Sequence, residues 1–95
     1  MHTDRANVLR TALTTLAGPG DPTDDYGHGL EDAKAAIREA LTDHPDPERS
    51  LRTWAARLPG WKTYGHQAGY DHIQQEARRI LNGDEDTLAD YRPPA

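Results

Sequence analysis

The chain has 95 residues, no cysteine and a formal net charge of −5. That length gives one small domain near the lower limit of what folds alone. The missing cysteines exclude disulfides and thiolate chemistry, and the acidic balance argues against a general nucleic-acid binder. Nine Leu, three Ile, one Val and no Phe fall below the roughly 20 % at which disorder competes with folding. The charge is too modest for a disordered chain, and two Trp and four Tyr add core area. A folded domain with a thin core is expected, gaining stability from a partner or from self-association. No apolar run approaches the ~18 residues of a membrane span, and the amino terminus lacks a signal-peptide core. The expectation is a cytoplasmic protein with no membrane partner. Nine Arg against two Lys, with frequent Ala, Asp and Gly, suggest a GC-rich source, an actinobacterium or its phage.

A first helix is expected over residues 4–16. Val8, Leu9, Ala12, Leu13 and Leu16 form one apolar stripe at helical spacing, and Gly18-Pro19 ends it. The turn-rich loop 20–25 follows. In the second helix Tyr26, Leu30, Ala33, Ile37, Ala40 and Leu41 recur at three- and four-residue spacing, which assigns Tyr26 to the core face. Asp24 and Asp25 suit its positively polarised start, and Pro45 ends it. The third helix starts at Asp46-Pro47, an N-cap followed by proline at the first helical position. It carries Leu51, Trp54, Ala55 and Leu58 on one face and stops at Pro59-Gly60.

The fourth helix ends at Leu81, with Asn82-Gly83 as its C-cap. Tyr70, Ile73, Ala77, Ile80 and Leu81 share a face, while Trp61, Tyr64 and Ala68 point away from it. A start near residues 67–69 is favoured, because Gly65 and Gly69 both weaken a helix. The architecture expected is therefore all-α: a bundle of four main helices over residues 1–83. Residues 84–95 form an acidic, proline-ending tail in which Leu88 and Tyr91 could dock one helical turn and Arg92 onward frays.

The tripeptide YGH occurs at 26–28 and again at 64–66. Aligned from glycine onward, GLEDAKAAIREAL (29–41) meets GYDHIQQEARRIL (69–81), matching Gly29 with Gly69, Glu31 with Asp71, Arg38 with Arg78 and Leu41 with Leu81. The two YGH triplets do not fit that register. Two extra residues in the second copy rotate it by about 200° on a helix. Tyr64 and His66, with Trp61, are then the members expected to face a partner.

Chemistry-bearing sets are sparse. His28, His66 and His72 invite a metal reading, yet no histidine pair stands at the four-residue helical spacing. Ser50 is the only serine, there is no GxSxG, and GPGD follows a helix rather than a strand, so neither a nucleophile elbow nor a phosphate loop is present. Residues 48–62 are locally basic, with Arg49, Arg52, Arg57 and Lys62 interleaved with Trp54 and Trp61. Such a stretch can hold single strands by charge and stacking, or serve as a recognition helix. Trp and Arg are also the types that dominate protein-binding hot spots. Acidic clusters at 21–32, 43–48 and 84–90 flank the basic stretch, a layout that steers a charged protein partner or a second copy.

Residues 5–32 (RANVLRTALTTLAGPGDPTDDYGHGLED) resemble the opening of small actinophage proteins that run helix, GD, x-YG and then E-N. ARL at 56–58 followed by AGYDHI at 68–73 is similar to their later ARL…D-x-AGY segment. Those proteins are in turn similar to all-α nucleotide pyrophosphohydrolases of the MazG type. The resemblance implies an all-helical fold and, if the activity is kept, Mg²⁺ held by paired acids. The EExxE and ExxD pairs of the active enzymes are absent, so only Glu31, Asp32, Asp71 and Glu76 can be carried over as metal ligands.

The leading expectation is a small non-enzymatic regulatory or inhibitory protein that binds another protein through Arg57, Trp61, Lys62, Tyr64 and His66, without a cofactor. The alternatives are a MazG-like hydrolase or its inactive relative, and a nucleic-acid-binding helical regulator.

Overall fold

Asp24 sets the start of the longest helix. Its backbone is extended (φ −142°, ψ 177°), and its carboxylate accepts the Gly27 amide at 2.7 Å, capping α2 (Asp25–Asp43). One of the N–H groups that a helix start leaves unpaired is thereby satisfied. The device recurs along the chain. Asp46 caps α3 (Pro47–Ala56), Thr63 caps α4 (Tyr64–Leu81) and Asp84 caps the short α5 (Glu85–Ala89). Ahead of them runs α1 (Arg5–Leu16). The computed structural model describes residues 5–18, 20–57 and 63–91, and every regular element among them is helical. The fold is a small all-α bundle of four substantial helices and a short fifth. Leu58, Trp61, Lys62 and the Pro59-Gly60 stop lie outside the described residues.

The core mixes leucine and isoleucine with alanine. Ala12, Ala33 and Ala77 are buried with Leu9, Leu13, Ile37, Leu51, Ile73, Ile80 and Leu81. Small residues let helix axes approach closely, and nowhere is this clearer than between α2 and α4, the most extensive helix contact. A Cβ on Gly29 would collide with the His66 carbonyl and sit 2.9 Å from the Tyr70 nitrogen. A Cβ on Gly69 would collide with the Tyr26 carbonyl and sit 3.0 Å from the Leu30 nitrogen. The backbones touch because both glycines lack a side chain.

This contact explains two departures from the sequence reading. The fourth helix begins at Tyr64 rather than near residues 67–69. Thr63 Oγ1 accepts the His66 amide at 3.1 Å, and the glycine cost of about 1 kcal/mol per position is offset by the close packing those glycines permit. Tyr26 is not a core residue: it is 41 % exposed. With α4 seated against its carbonyl, its ring lies outside and leans on His72 at 6.5 Å between centroids.

The Gly29 and Gly69 contacts are reciprocal, as in an isologous interface. Other bonds follow the same relation. Arg38 Nη1 donates to the Ala17 carbonyl at 2.8 Å, closing the end of α1; Arg78 Nη1 donates to the Ala55 carbonyl at 3.0 Å, closing the end of α3. Arg10 donates to the Leu41 carbonyl, and Arg52 to the Leu81 carbonyl. The hairpins α1–α2 and α3–α4 thus share these parts of one bonding pattern. The short helices also match in sequence: DRANVLRT (4–11) against DPERSLRT (46–53).

After the second hairpin the chain turns sharply. Gly83 takes φ +75°, its amide donates to the Ile80 carbonyl and the Asp84 amide to the Arg79 carbonyl. This is a Schellman ending, which favours glycine at that position. It sends α5 back onto α4, where Leu88 is buried and Tyr91 packs beside it.

Candidate functional site

The carboxylates carried over as metal ligands are each engaged by the protein itself. Glu31 Oε1 accepts from Arg38 at 2.7 Å. Asp32 Oδ2 lies 2.7 Å from His66 Nε2. Asp71 accepts from Gln75 at 2.7 Å, and Glu76 accepts from the Tyr91 hydroxyl at 3.0 Å. Among the described residues no three His, Asp or Glu side chains are grouped so as to hold a metal ion. The Arg38 hydrogen bond is the main cause that holds the Glu31 carboxyl below its usual range, against a smaller opposing effect of burial. Burial and the Glu76 carboxylate push the Tyr91 hydroxyl up to about 12.

His66, expected to face a partner, is buried at 7 % exposure. Its Nε2 meets Asp32, its ring stacks on Tyr70 at 6.1 Å, and Nδ1 is buried without a hydrogen-bond partner among the described residues. With Nε2 as the protonated nitrogen the Asp32 bond is made, and Nδ1 is left as a bare acceptor closed off from solvent. A base in that position reaches no substrate, so the dyad reads as an interhelical tie. Tyr64 stands apart from it at 80 % exposure. It borders a shallow depression with Gln67, Ala68 and Asp71.

The larger concavity lies between the second half of α2 and the outer face of α3. It holds about 480 Å³, lined on α2 by Ala36, Glu39, Ala40 and Asp43, on α3 by Arg49, Ser50, Thr53 and Trp54, and just past α3 by Arg57. The size falls within the range of ligand pockets. Its α3 wall is held from beneath. Buried Gln74 donates to the Trp54 and Arg57 carbonyls at 3.0 and 3.1 Å, and Arg78 to that of Ala55. Carbonyls that a helix end leaves orphaned are thus paired, and Arg57 is fixed at the rim. Trp54 Nε1 donates to the Tyr70 hydroxyl at 2.8 Å, with the rings edge to face at 5.8 Å. The indole is half-buried and rigid, and it forms an apolar wall between charged rims.

Of the sequence-predicted partner residues, Arg57 belongs to this groove and Tyr64 to the separate depression; His66 is internal, and Trp61 and Lys62 fall outside the described residues. The sequence reading placed Arg49 and Trp54 in a basic, aromatic-bearing stretch but did not bring Glu39 and Asp43 opposite them. Spacing along α3 reports only the apolar role of Trp54, and Glu39 and Asp43 stand on a different helix. No known protein family, curated protein or solved structure matches this chain.

Proposed function

We propose that this chain is a small non-enzymatic regulatory or inhibitory protein, of actinobacterial or phage origin, that acts by binding another protein through the groove between α2 and α3. The observation that carries this reading is the rigid Trp54 wall set between Glu39 and Asp43 on one rim and Arg49 and Arg57 on the other. Trp and Arg in a preformed concavity are the side chains that supply most binding energy in protein interfaces. Charged rims of both signs fix the orientation of the partner and speed its encounter. The acids carried over as metal ligands support the same reading, since each holds a partner within the fold.

The test is affinity capture from extracts of the source organism, with the wild-type chain and an Arg49→Glu/Arg57→Glu variant as parallel baits. A stoichiometric partner held by the wild type and lost from the variant is the expected result. A partner held equally by both sinks the groove reading.

A further inference from the structure

The pair Asn82-Gly83 ends α4 and also carries a chemical liability. An asparagine carboxamide followed by glycine is open to attack by the next backbone nitrogen, because no side chain shields that nitrogen. The Gly83 nitrogen bonds to Asn82 Cγ and gives its proton to the side-chain nitrogen, which leaves as ammonia. A five-membered succinimide results. Water then opens the ring at either carbonyl and leaves aspartate or isoaspartate, each with one more negative charge than the asparagine. The other asparagine, Asn7, precedes Val8, whose branched and stiff side chain hinders the same approach.

The folded chain holds the reacting atoms apart. Asn82 is helical (φ −79°, ψ −7°), and ring closure needs the Gly83 nitrogen turned about the Cα–C bond toward Cβ. Two bonds of the cap oppose that turn: the Gly83 amide donates to the Ile80 carbonyl and the Asp84 amide to the Arg79 carbonyl, each at 3.0 Å. Arg52 Nη1 also reaches Asn82 Oδ1 at 3.5 Å. The α5 segment anchors the cap from the far side, through buried Leu88 and the Tyr91 bond to Glu76. Asn82 is exposed, so water has access and only the backbone conformation withholds the reaction. We propose that Asn82 is a deamidation site gated by α5: the docked helix keeps the asparagine intact, and its release lets the ring close. The isoaspartyl product routes the main chain through Cβ, one carbon longer, just where the cap is formed. The Gly83 and Asp84 amides then no longer meet the Ile80 and Arg79 carbonyls. A transient local opening is thereby made permanent.

The experiment incubates the full-length chain in mildly alkaline buffer, folded and in urea. Peptide mass mapping follows amide-to-acid conversion and separates aspartyl from isoaspartyl products. Conversion at residue 82 should be fast in urea and slow in the folded chain. Leu88→Ala should speed it in the folded chain about tenfold, the factor that a loss of about 1.4 kcal/mol from the closed state gives. Tyr91→Phe, a milder loosening, should act in the same direction. Leu13→Ala weakens the core from α1 and should leave the rate near that of the wild type. Equal acceleration by Leu13→Ala and Leu88→Ala would mean that only global unfolding exposes the site, and would overturn the gate. So would an unchanged rate in both α5 variants, or conversion of the folded wild type at the urea rate. Hydrogen exchange on the purified isoaspartyl chain reads the second half of the proposal. The Asp84 and Leu88 amides, hydrogen-bonded in the intact chain, should lose their protection after conversion. Retained protection would show that α5 reseats and would overturn the permanent release.

Discussion

Gly29 and Gly69 face each other's helix backbones, each occupying the space where the other's chain must pass. Neither neighbour can give way, because both are main chain rather than the tip of a flexible side chain. Gly69→Ala, and Gly29→Ala likewise, should cost about 1–3 kcal/mol or more in urea unfolding, as overpacking does. Gly20→Ala is the control. Its nearest neighbour is a Lys34 nitrogen 3.8 Å away, so a change within about 0.5 kcal/mol is expected. Equal effects at Gly20 and Gly69 would refute the close crossing.

Both arginines should stabilise the fold through the carbonyls they hold, with Arg38 adding its bond to Glu31. Arg38→Met and Arg78→Met each remove a charged donor from a carbonyl that ends the preceding helix. Both side chains are partly exposed, so the loss in each should be about 1 kcal/mol. They share no partner, so the double variant should lose the sum of the two. Strong coupling between them would argue against two independent hairpin closures.

The acid limb of stability should carry the signature of Glu31. Its folded value lies below the ordinary 4.5 because Arg38 donates to it. A lowered carboxyl value adds stability above 4.5, and this is lost as pH falls through the folded value. Glu31→Gln should therefore flatten the decline of stability below pH 4.5 and leave the decline above pH 10 untouched. Parallel acid limbs for the two proteins would count against the Arg38 pairing.

The alkaline limb reports on α5. Tyr91 is raised from 10.0 to about 12 in the folded chain. A raised value gives stability that is whole below pH 10 and is lost as pH rises towards 12. Tyrosinate absorbance should show a late step that is absent from Tyr91→Phe. That variant should also lose about 1 kcal/mol through the missing bond to Glu76.

Added Mg²⁺ and a chelator should both leave the melting temperature where it is, because Glu31, Asp32, Asp71 and Glu76 are each held by a protein side chain. A rise with Mg²⁺ that Glu31→Gln abolishes would instead revive the hydrolase-like alternative, since a ligand that binds only the folded state stabilises it.

The helices were legible because their signals are local. Asp46-Pro47 at the start of α3 and the three- and four-residue rhythm of Ala33, Ile37 and Ala40 each require only near neighbours. The start of α4 and the placing of Tyr26 were misjudged for one shared reason. Gly65 and Gly69 lower helix propensity locally, and only the tertiary crossing with α2 shows why a helix should carry them. His66 was misplaced for a related cause: its partner, Asp32, is on the other long helix, beyond the reach of spacing arguments. The groove needed one further step, since Trp54 belongs both to an apolar stripe and to an outer wall. Periodicity reports the first role alone.

The crossing of α2 and α4 has a consequence for finding kin. Among the described residues the apolar core side chains are all Leu, Ile or Ala, types that any helical stripe can carry. The crossing and the two arginine bonds leave a sparser fingerprint: a glycine with an arginine nine residues later, twice, forty residues apart, each preceded by a Leu-Arg-Thr helix. A chain that keeps those positions keeps the residues on which the crossing and both helix closures depend here. Searching for the pattern and then asking which relatives carry tryptophan at the place of Trp54 would separate inheritance of the scaffold from inheritance of its groove.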